Sequence, residues 1–313
     1  LINYLIRKGY SEDHISKAIF ELQQVATNFS DSLYTTNKNV YSQLRNGVEV
    51  KVSAGKNYDT VKLINWEDPE DNDFYIAEEV TLKGNKTKRP DIVLYINGIA
   101  IAVLELKRGI VDIGEGVRQN ITNLQDRFIQ PFFATNQILF AGNDAEGLRY
   151  GTISSPEKFY LSWKEDVEDS SRLLLDKYLI KMCSKERIIE LIYDFIVFET
   201  GIKKLPRAHQ YFGVKESQKY VNRHEGGIIW HTQGSGKSIS MVFLAKWILE
   251  NNPKARVAIV TDRDELDKQI EDVFTDSGEI IFRTKSGRDL MTKLGQSSPR
   301  LLCSLVHKFG AKD

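Results

Sequence analysis

The chain has 313 residues, room for two domains of ordinary size, and with 41% hydrophobic and 27% charged residues it reads as folded rather than disordered. Its 43 basic and 43 acidic residues cancel, so global charge gives no grip on nucleic acid, and any such contact has to come from local patches or partner subunits. No apolar run is long enough to cross a bilayer and no cationic leader opens the sequence; Cys183 and Cys303, without CxxC spacing or companion histidines, argue against zinc or a disulfide framework and predict a reducing cytoplasm.

From the N-terminus, Ile15, Ala18, Ile19, Leu22 and Val25 recur at helical spacing within Leu1 to Phe29, with Ser11 placed to cap and Glu12 and Asp13 in the first turn. Val48 to Val52 alternates as a strand does, and Phe74 to Val80 predicts another. Asp91 to Lys107 holds two apolar runs split by Asn97-Gly98, a hairpin signal. A polar helix is expected over Glu115 to Phe128, then short strands near Gln137 to Ala141 and Arg149 to Ile153. The acidic stretch Lys164 to Ser171 is the expected domain boundary, its alternative being a solvated loop inside one domain. Leu173 to Glu199 reads as two amphipathic connector helices. From Gly227 strands and helices alternate: Ile228 to Trp230, a helix to Leu249, Val257 to Thr261, a helix to Phe274. That alternation predicts a parallel sheet with crossover helices. The chain starts at Leu1 rather than Met and stops at Asp313 within the alternation, so a fragment is expected. The expected organisation is a first domain over 1–170, a helical connector over 171–205 and a motor-like domain over 206–313.

Pro90-Asp91 followed by Glu105-Leu106-Lys107 matches the PD…ExK pattern. That chemistry uses carboxylates, here Asp91 and Glu105, to hold Mg²⁺, with Lys107 to orient water or neutralise charge. Glu-x-Lys alone carries little information; its position at the end of the apolar strand Ile99 to Leu104 carries more, because charges beside a core strand are costly unless compensated. A hairpin whose end charges simply face solvent is the alternative. A two-residue Asn97-Gly98 turn would pair Ile96 with Ile99 and set Asp91 opposite Leu104, on the face away from Glu105. A three-residue loop with a bulge at Gly98 would pair Tyr95 with Ile99, set Asp91 opposite Val103 and bring it to the face of Glu105. The bulged loop is therefore expected. Gln119 and Asn123 lie one turn apart on the next helix and resemble the Gln-x-x-x-Tyr motif of RecB-type nucleases, with Asn123 in place of Tyr; Gln119 is the expected supporting residue.

His231-Thr232-Gln233-Gly234-Ser235-Gly236-Lys237-Ser238 stands between a strand signal and an amphipathic helix, the setting of a phosphate-binding loop. Glycines let backbone N–H groups turn towards phosphates, Lys237 would reach the β/γ-phosphates of ATP, and Ser238 would hold its Mg²⁺. Arg207 to Gln210 resembles the glutamine motif of superfamily 2 helicases, in which Gln210 would contact adenine, and Ile259 to Leu266 resembles their next motif. No acidic element suited to position Mg²⁺ and the attacking water appears before Asp313, so weak nucleotide binding and little hydrolysis are expected.

Taken together, Arg89 to Leu94, Asn97-Gly98, Val103 to Lys107, Gln119, Ala141 to Asn143, Arg149 to Thr152, Gln210 and Thr232 to Ser238 resemble the restriction (R) subunit of type I restriction-modification enzymes. The resemblance covers nearly the whole chain. It implies an α/β fold in which a PD-(D/E)xK nuclease-like mixed sheet flanked by helices precedes the start of a RecA-like parallel α/β motor. It also implies double-stranded DNA as substrate, Mg²⁺ and ATP as cofactors, methyltransferase (M) and specificity (S) subunits as partners, and cutting coupled to ATP-driven translocation. A helicase-nuclease of repair or phage defence without a methylation partner is one alternative. A translocase with a non-catalytic N-terminal docking domain is the other.

Overall fold

The computed structural model describes residues 1–310 apart from 29, 54, 56, 126–127, 166–170 and 277–279. It divides into two compact units, one of Leu1–Ile196 with Gly201–Leu205, the other of Val197–Thr200 with Pro206–Asp313. Most of the expected acidic boundary (166–170) lies outside the described residues, and the expected connector over 171–205 falls in the first unit except for Val197–Thr200.

The first unit opens with α1 (Ile2–Arg7), α2 (Glu12–Ala26) and α3 (Leu33–Asn46). Gly9, with φ +82°, breaks what the apolar spacing reads as one helix, and the Ser11 hydroxyl then accepts the His14 N–H to start α2. Strands β1 (Val48–Val50) and β2 (Asp59–Val61) form a small antiparallel pair. The main sheet has six strands: β3 (Phe74–Glu78), β4 (Ile92–Ile96), β5 (Ile99–Leu106), β6 (Ile138–Asn143), β7 (Gly147–Gly151) and β8 (Leu161–Ser162), side by side in chain order. All neighbours are antiparallel except β5 and β6. A parallel pair needs a crossover, and α4 (Ile113–Asn123) lies within it, started by Asp112, whose carboxylate accepts the Gly114 N–H. Ile113 and Val117 of α4 pack on Val93, Val103, Leu139 and Ala141 of the sheet. This is the mixed sheet flanked by helices that the sequence predicts. Helices α5 (Leu174–Met182) and α6 (Lys185–Asp194, capped by Ser184) complete the unit with the short strand β10 (Ile202–Lys204), while β9 (Val197–Glu199) belongs to the second.

The second unit contains α7 (Ala208–Asn222), α8 (Lys237–Asn251), β11 (Val257–Thr261), α9 (Asp264–Asp276), β12 (Phe282–Arg283), α10 (Gly287–Leu294) and β13 (Leu301–Leu305). Its strands form a parallel sheet in the order β11-β13-β12. The strand expected over Ile228 to Trp230 is absent among the described residues: the segment is irregular, with Ile228 88% and Trp230 91% exposed. A strand exists only through its ladder, and no described strand pairs with this segment.

Candidate functional site

The hairpin of β4 and β5 decides where Asp91 points. Ile96 pairs with Ile99, so Asn97-Gly98 is a two-residue turn with positive φ at both residues (52° and 81°). The three-residue loop expected from sequence does not form. Asn97 is buried, its amide donating to the Leu63 carbonyl (3.0 Å) and Asn72 Oδ1 (2.8 Å) while its Oδ1 accepts the Asp73 N–H (2.8 Å), and this anchoring favours the tight turn. The bulge lies instead inside β5: Tyr95 pairs with Ala100 but Leu94 with Ala102, leaving Ile101 as the extra residue. Beyond it Ile92 faces Leu104, and continuing that register by one position sets Asp91 opposite Glu105 rather than Val103. The expected parity is met by a different device.

Glu105 is fully buried. Gln119 Nε2 donates to its Oε2 (2.6 Å) and Asn123 Nδ2 to its Oε1 (3.2 Å), both from α4. Burial, then the neighbouring Asp91 charge, pushes the Glu105 carboxyl up to about 8, and its protonated form donates to Asp91; Lys107 and Lys88 oppose the rise. Asp91 Oδ2 accepts the Leu106 N–H (2.7 Å), which ties its carboxylate to the end of β5. Lys107 Nζ donates to Gln119 Oε1 (2.6 Å) and to the Leu106 carbonyl (3.1 Å). Gly116 lets α4 come this close: a Cβ there would stand 3.1 Å from Ala141 Cβ and 3.4 Å from the Glu105 carbonyl oxygen. Asp91, Glu105, Lys107 and Gln119 are thus gathered on one side of the sheet under one helix.

A buried carboxyl facing a half-buried one is unfavourable while both are ionised, and either a proton or a cation relieves the pair. Their hard oxygen donors suit Mg²⁺. Among the described residues no three His, Cys, Asp or Glu side chains gather to hold a metal. A cation here would rest on two carboxylates and complete its shell with water, main-chain carbonyls and substrate oxygens, as Mg²⁺ does.

In the second unit, Gly234 and Gly236 adopt φ of +74° and +86°, and Lys237 begins α8, so the loop ends at a helix N-terminus. Thr232, Gln233 and Gly234 are exposed, Ser235 is buried and Ser238 half-buried. Lys237 Nζ donates to the carbonyls of His231 (3.2 Å) and Thr232 (3.0 Å), curling over its own loop. Gln210 is buried and braces the loop from α7: Nε2 donates to the Gly236 carbonyl (2.8 Å), and Oε1 accepts the Arg207 N–H (2.8 Å). Both ends of its amide are taken up within the protein.

Three residues outside the predicted set join these sites. Asn123 grips Glu105, Lys88 faces it electrostatically, and His209 Nε2 donates to the Ser235 carbonyl (3.0 Å) with its ring 4.8 Å from that of His231. The spacing of Gln119 and Asn123 by one helical turn is a legible signal for the first; the other two have none.

Comparison with known proteins finds a family match in each unit. Residues 4–158 match the family described as "Type I restriction enzyme R protein N terminus". Residues 4–158 of this chain are thus a type I restriction enzyme R-protein N-terminal domain. The match on this R-protein family runs through Asp91, Glu105, Lys107 and Gln119, and residues 209–313, which include Gln210 and the loop, match the family described as "SWI2/SNF2 ATPase". Relatives of the R protein are named endonuclease subunits. The type I restriction enzyme HindI endonuclease subunit of Haemophilus influenzae is 31% identical over 281 residues, covering 80% of this chain and 26% of that protein. The putative MjaIXP endonuclease subunit of Methanocaldococcus jannaschii is 29% identical over 313 residues, covering 87% of this chain and 30% of that protein. The SauCOLORF180P endonuclease subunit of Staphylococcus aureus is 26% identical over 250 residues, covering 76% of this chain and 26% of that protein. The chain therefore spans less than a third of the length of these curated relatives.

Proposed function

We propose that the first unit is a PD-(D/E)xK nuclease, hydrolysing phosphodiesters of double-stranded DNA, and that the second binds ATP to drive movement along that DNA. One observation carries the first half: Asp91 and Glu105 face each other across β4 and β5, one fully buried, with Lys107 and Gln119 beside them. Asp91 and Glu105 would hold Mg²⁺, which when bound activates water and offsets charge building on the phosphate. The Asp91 carboxylate is oriented by the Leu106 N–H, and Glu105 by Gln119 and Asn123. Lys107, released from Gln119 Oε1, donates from Nζ towards the attacking water or a phosphate oxygen. The loop Thr232 to Ser238, exposed at Thr232 to Gly234 and at Lys237, would wrap the phosphates of ATP, with Ser238 on its Mg²⁺. The family match supports methyltransferase and specificity subunits as partners and a cytoplasmic setting; among the described residues no helix is long and apolar enough to cross a membrane.

The test is Asp91→Ala. DNA cleavage should fall about a thousandfold, because removing one of two carboxylate ligands sacrifices several kcal/mol of transition-state stabilisation, while nucleotide binding stays unchanged. Unchanged cleavage would favour the docking-domain alternative. Failure to co-purify with a methyltransferase would favour a helicase-nuclease that works without one.

A further inference from the structure

The net charge of zero hides a local concentration. Between positions 83 and 89 stand Lys83, Lys86, Lys88 and Arg89, with no acidic residue among them. The segment folds back on itself: Leu82 and Lys88 exchange both backbone hydrogen bonds, 2.8 Å and 3.0 Å, so it forms a small hairpin. Leu82 packs against the core cluster that contains Val93, Val103 and Val117. The tip is seated too. The Asn85 N–H donates to the Phe128 carbonyl (3.0 Å), and Gly84 lies so close that a Cβ there would stand 2.4 Å from that oxygen. Lys86 and Lys88 lie over the Phe128 ring, their Nζ atoms 5.5 Å and 4.3 Å from its centroid. Arg89 pairs with Glu79 at 3.3 Å, whereas among the described residues no carboxylate pairs with Lys83, Lys86 or Lys88. Lys86 and Lys88 are held over the Phe128 ring, Lys83 is exposed beside them, and none of the three forms an ion pair among the described residues.

Position gives this hairpin its meaning. Its second arm leads through Arg89 and the buried Pro90 directly into Asp91, whose carbonyl accepts the Glu79 N–H at 2.8 Å from before the first arm. From Lys88 to Asp91 is three residues, at most about 10 Å of chain, which equals roughly three nucleotide steps along one DNA strand. Lys88 is also near enough to Glu105 to lower its pKa.

We propose that the hairpin Leu82–Lys88 is a DNA-backbone clamp: Lys83 and Lys86 neutralise phosphates flanking the one presented to Asp91 and Glu105, on whichever sequence is being cut. The proposal rests on the nuclease reading of that site. Phosphate contacts of this kind position a duplex without reporting its sequence.

The experiment is fluorescence anisotropy of the 313-residue chain with random-sequence duplexes of about 30 base pairs, in EDTA so that nothing is cut, across a salt series. The double variant Lys83→Gln/Lys86→Gln should reduce the slope of log K against log salt by about 1 to 2, since each lost phosphate contact removes about 0.9, and should weaken binding roughly tenfold. Lys83→Arg/Lys86→Arg should restore both, and the loss should be equal on unrelated sequences. An unchanged slope, or a loss confined to one sequence, overturns the clamp. Asp91→Ala separates the two ideas. Cleavage persisting in that variant removes the nuclease reading and leaves the slope result standing, while a cleavage-dead Asp91→Ala beside an unchanged lysine slope removes the clamp alone.

Discussion

The two sites are built in opposite ways. The loop Thr232 to Ser238 is contiguous, and its shape follows from two glycines with positive φ and the first residue of a helix, with His209 and Gln210 of one helix, α7, bracing it. The carboxylate site draws on residues up to 32 positions apart, from Asp91 on the approach to β4 to Asn123 at the end of α4, and exists only because one residue, Ile101, bulges out of β5. The first kind of site tolerates change elsewhere in the fold. The second depends on register, so a slip of one residue would turn Asp91 to the opposite face.

Loss of Lys237 should give the largest effect after Asp91→Ala. Lys237→Ala removes the cation at an exposed helix start, so ATP binding measured by calorimetry should weaken roughly a hundredfold, the value of one or two charge-assisted hydrogen bonds. The melting temperature should hold, as expected for a local site; a large drop would break the contrast drawn above.

Glu105→Gln probes the long-range site through pH. The Glu105 carboxyl sits at about 8 in the folded chain against 4.5 when unperturbed. Between those values the folded state keeps a proton that the unfolded chain has released. Stability from this group is therefore present at acid pH and declines as pH rises towards 8, by a total on the order of 5 kcal/mol at most. Without divalent cation the melting temperature should fall from pH 5 to pH 8 in the parent and stay level in the Gln variant. Added Mg²⁺ should lift the parent alone at the upper end. Parallel pH curves for the two proteins would count against a proton held between the carboxyls.

Asn123→Ala should have the smallest effect. It removes one 3.2 Å hydrogen bond to Glu105 Oε1 while Gln119 keeps its grip on Oε2. Cleavage should fall about fivefold, near 1 kcal/mol. A loss as large as that of Asp91→Ala would show that both amides, rather than Gln119 alone, orient the carboxylate.

Local chemistry was legible in advance where it depends on near neighbours: the Ser11 cap of α2, the split of β4 and β5 at Asn97-Gly98, the phosphate-type loop before α8 and the pairing of Gln119 with Asn123 by one helical turn. The need for Asp91 and Glu105 to share a face also followed from strand alternation alone. How the chain achieves it did not. The Asn97 amide meets partners at Leu63, Asn72 and Asp73, and these contacts fix a tight turn that moves the irregularity into β5. Ile228 to Trp230 carries an apolar strand pattern and yet forms no strand, because pairing requires a neighbour that the pattern does not encode. Residue types and spacing determined which groups could act here; register, burial and anchoring, which are properties of distant partners, decided where they point and how strongly Glu105 holds its proton.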